Sequence, residues 1–212
     1  MKNAFVMATA IVLAMYAAVL AGNKFIVDNT PDKNPAACGG WWYSYNDSSS
    51  GGNSEVTFTP GKMSGKTGNK LGWDYIGMGL TLGEKCGCYE GKGAVPVDLT
   101  GYKTLSFKIK GSISGGRLTL AIPYSANECQ QDAKTAKSLT DYADYEVALN
   151  KYLSKDGETV KIDLREDLKQ PKWAKKTFPI EEVLKNAHNI NFHFSSPDGD
   201  TVNIAVSDIA FE

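Results

Sequence analysis

Apolar and polar residues alternate over short runs along most of the chain, which is typical of β-strands that bury one face. The run from 72 to 82 shows this most clearly, with Ile76, Met78 and Leu80 on one face. Glycine, proline and serine turns separate the runs, the polar stretch 60–70 predicts a loop, and 179–185 predicts a short helix. The pattern predicts an all-β, jelly-roll sandwich of two antiparallel sheets. Further alternating runs occupy 104–110, 117–122, 159–164, 190–194 and 201–211.

The densest group of aromatic residues lies at 41–45 and runs into a Ser/Gly/Asn loop at 48–54. A period of two puts Trp41, Tyr43 and Tyr45 on one face of a strand and Trp42 on the other. One of these faces must enter the core. The rings on the other face are either part of the core rim or a platform for sugars, because an aromatic ring and the C–H face of a pyranose are both flat and apolar.

A second pair of rings, Trp73 and Tyr75, shares a face with Gly77 and Gly79, opposite the core residues. We expect the two glycines to leave an open floor for a ligand, with a β-bulge or plain packing as the alternative. Three polar residues on core-forming strands also alternate outward and would bond sugar hydroxyls. The predicted ligand-binding residues are Tyr43, Tyr45, Trp73, Tyr75, Arg117, Asn191 and His193.

The N-terminus predicts export. A short basic start precedes the uncharged stretch 4–20, and Val19 and Ala21 stand three and one positions before a cleavage point after Ala21. We therefore expect a signal peptide over 1–21 and one sandwich domain over 22–212, with an uncleaved membrane anchor as the alternative. No second apolar run of spanning length follows, which predicts a secreted, periplasmic or cell-surface protein without a membrane span after cleavage.

The chain has four cysteines, Cys38, Cys86, Cys88 and Cys129. An even number of cysteines in an exported chain predicts two disulfides. A bridge between Cys86 and Cys88 would close a small strained ring, so we expect Cys38 to pair with one of them and Cys129 with the other. A four-cysteine zinc site is the alternative, but the spacing lacks the usual close pairs.

Charge and motifs narrow the function classes. With 23 Lys and Arg against 24 Asp and Glu, the chain lacks the excess of positive charge that attracts nucleic acid. A glycoside hydrolase would need two carboxylates across a cleft. The candidates Asp74, Glu146 and Asp163 share no spacing, Asp74 falls in register with the core, and no catalytic motif is present. We therefore expect a protein that is not an enzyme.

Seven further segments have to be read together: 40–47, 51–54, 75–80, 97–102, 105–111, 170–173 and 207–211. In this order they resemble the eleventh family of non-catalytic carbohydrate-binding modules, which have a galactose-binding-like jelly roll. The related domain of a mitochondrial complex I assembly factor shows a similar pattern. The resemblance covers nearly the whole mature chain and departs from the family in the Cys86/Cys88 loop and in the loop 127–143.

This resemblance implies a β-glucan or cellulose-type polysaccharide bound along a concave sheet. It also implies a structural calcium ion near the chain termini, held by Asp28 and Asp208, with Asp47 as a further candidate. The predicted function is secreted, non-catalytic polysaccharide binding. The alternative is a cell-envelope or assembly protein that uses the same sandwich to bind a protein, and recruitment to a larger cell-surface complex stays open.

Overall fold

The structure is a computed structural model that describes residues 24–30, 32–82, 96–126 and 137–212. These ranges contain thirteen strands, one α-helix and two short 3-10 turns at Asp47–Ser50 and Asn150–Tyr152. The elements are β1 (Phe25–Asp28), β2 (Trp42–Asn46), β3 (Glu55–Thr59), β4 (Lys62–Lys66), β5 (Tyr75–Thr81), β6 (Thr104–Ile113), β7 (Arg117–Ile122), β8 (Ser125–Ala126), β9 (Lys137–Ser138), β10 (Tyr145–Ala148), β11 (Glu158–Asp163), α1 (Ile180–Lys185), β12 (Asn189–Ser195) and β13 (Thr201–Phe211).

The strands form two main antiparallel sheets. The front sheet has the order β10-β7-β12-β5-β2. The back sheet has the order β11-β6-β13-β4-β3, and β1 also pairs with β13. Strands β8 and β9 form a separate small pair. The predicted all-β jelly-roll sandwich is therefore confirmed. Within the described ranges, no helix is long and apolar enough to cross a membrane.

The core lies between the two sheets and is built from the inward residues of the alternating runs. Ile76, Met78 and Leu80 of β5 are fully buried, as the period of two predicted. Phe192 of β12 meets Phe107 of the back sheet edge to face, with ring centroids 5.6 Å apart. Buried aromatic pairs of this geometry contribute beyond the area they bury.

In the aromatic strand β2, the side chain of Trp42 points into this core. Trp42 is 3% exposed, and its indole Nε1 donates a 2.7 Å hydrogen bond to Oδ2 of Asp28. A buried indole N–H needs such an acceptor, since an unpaired polar group in the core costs about 1–3 kcal/mol. Burial of Trp42 therefore commits the opposite face of β2, with Tyr43 and Tyr45, to the outside.

The prediction of a loop over 60–70 is wrong, and the prediction of a short helix is confirmed. The stretch predicted as a loop at 60–70 contains β4, which lies between β3 and β13. Its only buried apolar side chain is that of Met63, so no alternation was visible, and Gly61 (φ 75°) makes the turn that leads into it. The short helix predicted over 179–185 is present as α1, which begins after Pro179.

Two buried carboxylates hold the loops at one end of the front sheet. Asp47 accepts hydrogen bonds from the backbone N–H groups of Ser54 (3.0 Å) and Tyr75 (3.2 Å). Asp74 accepts them from three successive backbone N–H groups, of which that of Leu71 is 2.9 Å away. Burial opposes ionisation of Asp74, but these N–H groups lower its pKa overall. The two anchors fix the backbone that carries Trp73 and Tyr75.

Candidate functional site

Four aromatic side chains form a continuous row on the outer face of the front sheet, which we call the aromatic strip (Tyr43, Tyr45, Tyr75 and Trp73). Ring centroids are 6.2 Å apart from Tyr43 to Tyr45 and 6.1 Å apart from Tyr45 to Tyr75. Trp73 stacks on Tyr75 at 6.0 Å with an interplanar angle of 18°. Trp73 is 55% exposed, so the strip ends in a ring that is open to solvent.

The two glycines of β5 lie beneath the tyrosines of the strip. Tyr45 pairs with Gly77 and Tyr43 with Gly79 across the β2–β5 ladder. A Cβ atom on Gly77 would lie 2.1 Å from Cζ of Tyr45, and one on Gly79 would lie 2.3 Å from Cζ of Tyr43. The prediction of an open glycine floor is therefore wrong. The missing side chains give room to the rings, which lie across the strand and present their far sides outward.

Polar side chains of β12 lie beside the tyrosines and bond their hydroxyl groups. The hydroxyl of Tyr43 donates to Oδ1 of Asn191 at 2.9 Å and accepts a bond from Nδ2 of Asn189. The hydroxyl of Tyr45 lies 3.3 Å from Nδ1 of His193, whose ring stacks on that of Tyr45 with centroids 6.0 Å apart. These contacts hold the rings in place before any ligand arrives.

His193 lies at the centre of the outer face, between Tyr45 and Tyr75. Burial, with a smaller contribution from the charge of Arg117, lowers the pKa of His193 to about 4. Its imidazole is therefore neutral at pH 7. Burial also raises the pKa of Tyr45 well above its usual value, so the centre of the face is uncharged.

Arg117 stands at the edge of this surface, on β7. Its Nη1 donates to Oε1 of Glu146 at 2.6 Å, and 51% of its side chain is exposed. A cavity of about 370 Å³ opens between Arg117 and Trp73, beside Ser195. The structure thus brings all seven predicted ligand-binding residues to one face, while their role in binding stays a prediction.

Trp41 and Asn189 belong to the same face, although they were not among the predicted binding residues. The backbone N–H of Trp41 donates to the side-chain hydroxyl of Thr81 at 2.7 Å, and its carbonyl accepts from the backbone N–H of Thr81 at 3.1 Å. Trp41 is 48% exposed. The alternation that selected Tyr43 also puts Trp41 outward, so the signal was present in the sequence. Asn189 precedes Asn191 by two residues, but its contact with Tyr43 depends on the pairing of distant strands.

The residues predicted to bind calcium have other contacts. One carboxylate oxygen of Asp28 accepts from Thr30 and the other from Trp42. Asp208 forms an ion pair with Lys108 at 3.0 Å, and the carboxylate of Asp47 is used by the loop it anchors. The described residues contain no group of three or more His, Cys, Asp or Glu side chains that could hold a metal ion. Calcium binding at Asp28 and Asp208 stays a prediction.

The disulfide prediction falls largely outside the described residues, where Cys86, Cys88 and Cys129 lie. Cys38 forms no disulfide with any residue that the structure describes. Its Sγ lies 3.7 Å from the carbonyl oxygen of Thr81, and burial raises its thiol pKa. The predicted signal peptide also lies outside the described residues.

The three carboxylates considered for glycoside hydrolysis do not form a pair across the front sheet. Asp74 is buried under its loop, and Asp163 bonds the backbone N–H groups of Arg165 and Glu166 next to the back sheet. Glu146 alone lies on the outer face of the front sheet, where it pairs with Arg117. These positions show no arrangement of an acid and a base among the three.

The fold and the strip define a jelly-roll β-sandwich with an aromatic face. No protein-family model matches the chain, and no curated protein sequence matches it. Among solved structures, it is similar to a family 11 carbohydrate-binding module of Clostridium thermocellum in complex with a β-1,3-1,4-mixed-linked tetrasaccharide. The identity is 15%, the TM-score is 0.44, and the match covers 90% of this chain and 96% of that one.

Two further carbohydrate-binding modules have a similar structure. A family 30 module is 19% identical with a TM-score of 0.49, covering 90% of this chain and 98% of the module. A family 29 module is 9% identical with a TM-score of 0.39, covering 89% and 90%. The similarity to solved structures thus includes a module of the family that the sequence resembles. At these identities it concerns the fold, and a ligand has to be inferred from this chain's own residues.

Proposed function

We propose that this protein binds an extended polysaccharide chain on the outer face of its front sheet, outside the cytoplasm and without cleaving it. The observation that carries the proposal is the aromatic strip, a continuous row of rings about 6 Å apart on the face opposite the core. Successive sugar rings of an extended chain can each meet an aromatic ring at such a spacing. A β-glucan of the cellulose type, implied by the sequence resemblance, is the first ligand to test.

The energetics of the strip support a flat, uncharged ligand. The ring of Trp73 is exposed and the three tyrosine rings are half-buried, and a contiguous apolar patch of this kind is unusual on a protein surface unless a partner covers it. His193 is neutral at pH 7 and the exposed Arg117 is paired with Glu146, so the face offers little net charge to an ionic polymer. A polysaccharide matches both properties, because it has apolar ring faces and uncharged hydroxyl groups.

The arrangement is also preorganised. The tyrosine hydroxyls are bonded to Asn191 and His193, and two glycines make room for the rings, so little side-chain freedom is lost on binding. Ordering a free side chain costs about 0.5–1.5 kcal/mol, and a preformed platform avoids that cost. A shallow face of this kind can still bind with useful affinity.

The test compares Trp73→Ala and Tyr75→Ala with the unmodified protein in titrations against cellulose-type and mixed-linkage β-glucans, xylan and mannan. Truncation of one anchor ring is expected to cost about 1–3 kcal/mol of binding, which is roughly a 5- to 150-fold loss of affinity. Trp173→Ala is the matched control, because Trp173 is 62% exposed but lies outside the strip. It should bind as the unmodified protein does.

Melting temperatures measured on the same variants separate binding from folding. Lost binding with an unchanged melting temperature supports the proposal. Retained binding with a lowered melting temperature would show that the rings serve the fold. Failure of the unmodified protein to bind any glycan would favour the alternative of a protein partner, and release of reducing sugar from a bound polymer would show an enzyme.

A further inference from the structure

The cavity at the Trp73 end of the strip differs from the rest of the face. We call it the terminal pocket and define it by Trp73, Arg117 and Ser195. Its volume of about 370 Å³ is within the range of about 300–1,000 Å³ that is usual for small-ligand sites. One wall is the exposed indole of Trp73, on which a sugar ring can stack. The strip therefore leads directly into a space that can hold a monosaccharide unit.

Along the rest of the strip, the polar groups that a ligand can reach are already engaged with each other, and the unpartnered Oδ1 of Asn189 is buried beneath the surface. The Tyr43 hydroxyl donates to Asn191 and accepts from Asn189, and the Tyr45 hydroxyl is bonded to His193. A ligand hydroxyl would have to share or displace these bonds, so its net gain would be small. This part of the face can distinguish sugars only weakly, and its main contribution to binding is stacking.

The lining of the terminal pocket is mainly apolar, and it includes two polar side chains, Ser195 and Arg117, whose hydrogen-bonding capacity the protein does not use in full. The backbone register puts Ser195 directly between Tyr75 on β5 and Arg117 on β7. No hydrogen bond joins the Ser195 hydroxyl to another residue that the structure describes. Within the same ranges, the only partner of the Arg117 guanidinium is Glu146, which takes a single Nη1 bond. A guanidinium has five N–H donors in a rigid fork, so most of them stay available.

We propose that the terminal pocket determines which sugar is bound, through hydrogen bonds from Ser195 and Arg117 to the hydroxyls of one residue stacked on Trp73. This inference rests on the proposed function, and it assigns affinity and selectivity to different parts of that site. The aromatic strip supplies affinity for an extended chain, and the pocket supplies selectivity. A site that hydrogen-bonds a ligand hydroxyl disfavours the epimer in which that hydroxyl points elsewhere, because its donors are then left unpaired.

Selectivity is measured as a ratio of dissociation constants for β-1,4-linked gluco-, manno- and galacto-hexasaccharides. Mannose differs from glucose in the configuration at C2, and galactose differs from glucose in the configuration at C4. The unmodified protein should prefer one of the three. Ser195→Ala and Arg117→Lys should bring the ratio toward one by about 2- to 10-fold, the range expected for one hydrogen bond. Arg117→Lys keeps the charge beside Glu146 but removes the planar fork, so the fold should be retained.

Two controls separate selectivity from affinity and from stability. Tyr45→Phe, in the strip, should alter the affinity for all three hexasaccharides by the same factor and leave the ratio unchanged. Ser64→Ala, on the outer face of the back sheet, should change neither, and melting temperatures should show that the variants are folded.

Three results would overturn the inference. One is equal affinity of the unmodified protein for all three hexasaccharides. Another is that the unmodified protein is selective, but Ser195→Ala and Arg117→Lys lose affinity for all three hexasaccharides by the same factor or lose none. The third, no binding of any glycan by the unmodified protein, would remove the proposed function and this inference together, and it is recognised before any variant is made.

Discussion

Substitution of Gly77 by alanine tests how the strip is built. The new Cβ atom would lie 2.1 Å from Cζ and 2.4 Å from the hydroxyl oxygen of Tyr45. Carbon atoms pack at about 3.5–4.0 Å, so the Tyr45 ring must lift by more than about 1 Å. The ring has neighbours on three sides, Tyr43, Tyr75 and His193, with centroids 6.0–6.2 Å away. It cannot move without loosening contacts with them.

The expected cost follows from those contacts. The Tyr45–His193 hydrogen bond contributes about 0.5–1.5 kcal/mol and each aromatic contact a similar amount. Replacing glycine by alanine also restricts the unfolded chain, which stabilises the folded protein by about 0.4–1 kcal/mol and offsets part of this loss. We expect a net loss of about 1–3 kcal/mol, the usual cost of overpacking, and a melting temperature lower by roughly 2–12 °C in a chain of this size. Glycan affinity should fall as well, because the displaced ring interrupts the strip.

Thermal unfolding and glycan titration of Gly77→Ala are compared with those of Gly101→Ala. Gly101 is exposed, and a Cβ atom there would meet nothing within 4 Å. Gly101→Ala should therefore be neutral or slightly stabilising and should bind normally. If Gly77→Ala keeps both its melting temperature and its affinity, the Tyr45 ring does not depend on the missing side chain and the proposed construction of the strip is wrong.

Three further predictions concern pH, thiols and calcium. Because the pKa of His193 is about 4 in the folded protein and 6.5 for an unperturbed histidine, only the unfolded chain takes up a proton between these values, so stability should fall as the pH drops from 6.5 to 4. Urea unfolding at pH 7, 5.5 and 4.5 should show this fall reduced in His193→Gln; equal slopes in the two proteins would contradict it. Two disulfides among the four cysteines should leave no free thiol in unfolded, unreduced protein, and a count of two or more would refute the pairing. A calcium ion bound only by the folded state should make the melting temperature fall in chelator, and an unchanged value after confirmed metal removal would reject the site.

The local pattern of the sequence was sufficient for most of the strands and their faces. The period of two in the run 72–82 correctly placed Ile76 and Met78 in the core and Tyr75 outside. It could do so because strand geometry is local, and burial selects apolar side chains at every second position. The same reasoning found the rings of the strip and the outward direction of His193. It missed β4, where a single inward apolar residue leaves no alternation to detect.

Only the tertiary structure decided which strands lie side by side, and that pairing determines what each outward residue does. The sequence predicted an open floor at Gly77 and Gly79, but β2 lies beside β5, and Tyr45 and Tyr43 cover the two glycines. The Tyr43–Asn191 hydrogen bond joins residues 148 positions apart, and the terminal pocket takes its walls from separate segments of the chain. Such contacts leave no local period in the sequence, because they depend on the order of strands in a sheet and not on the conformation of any one strand.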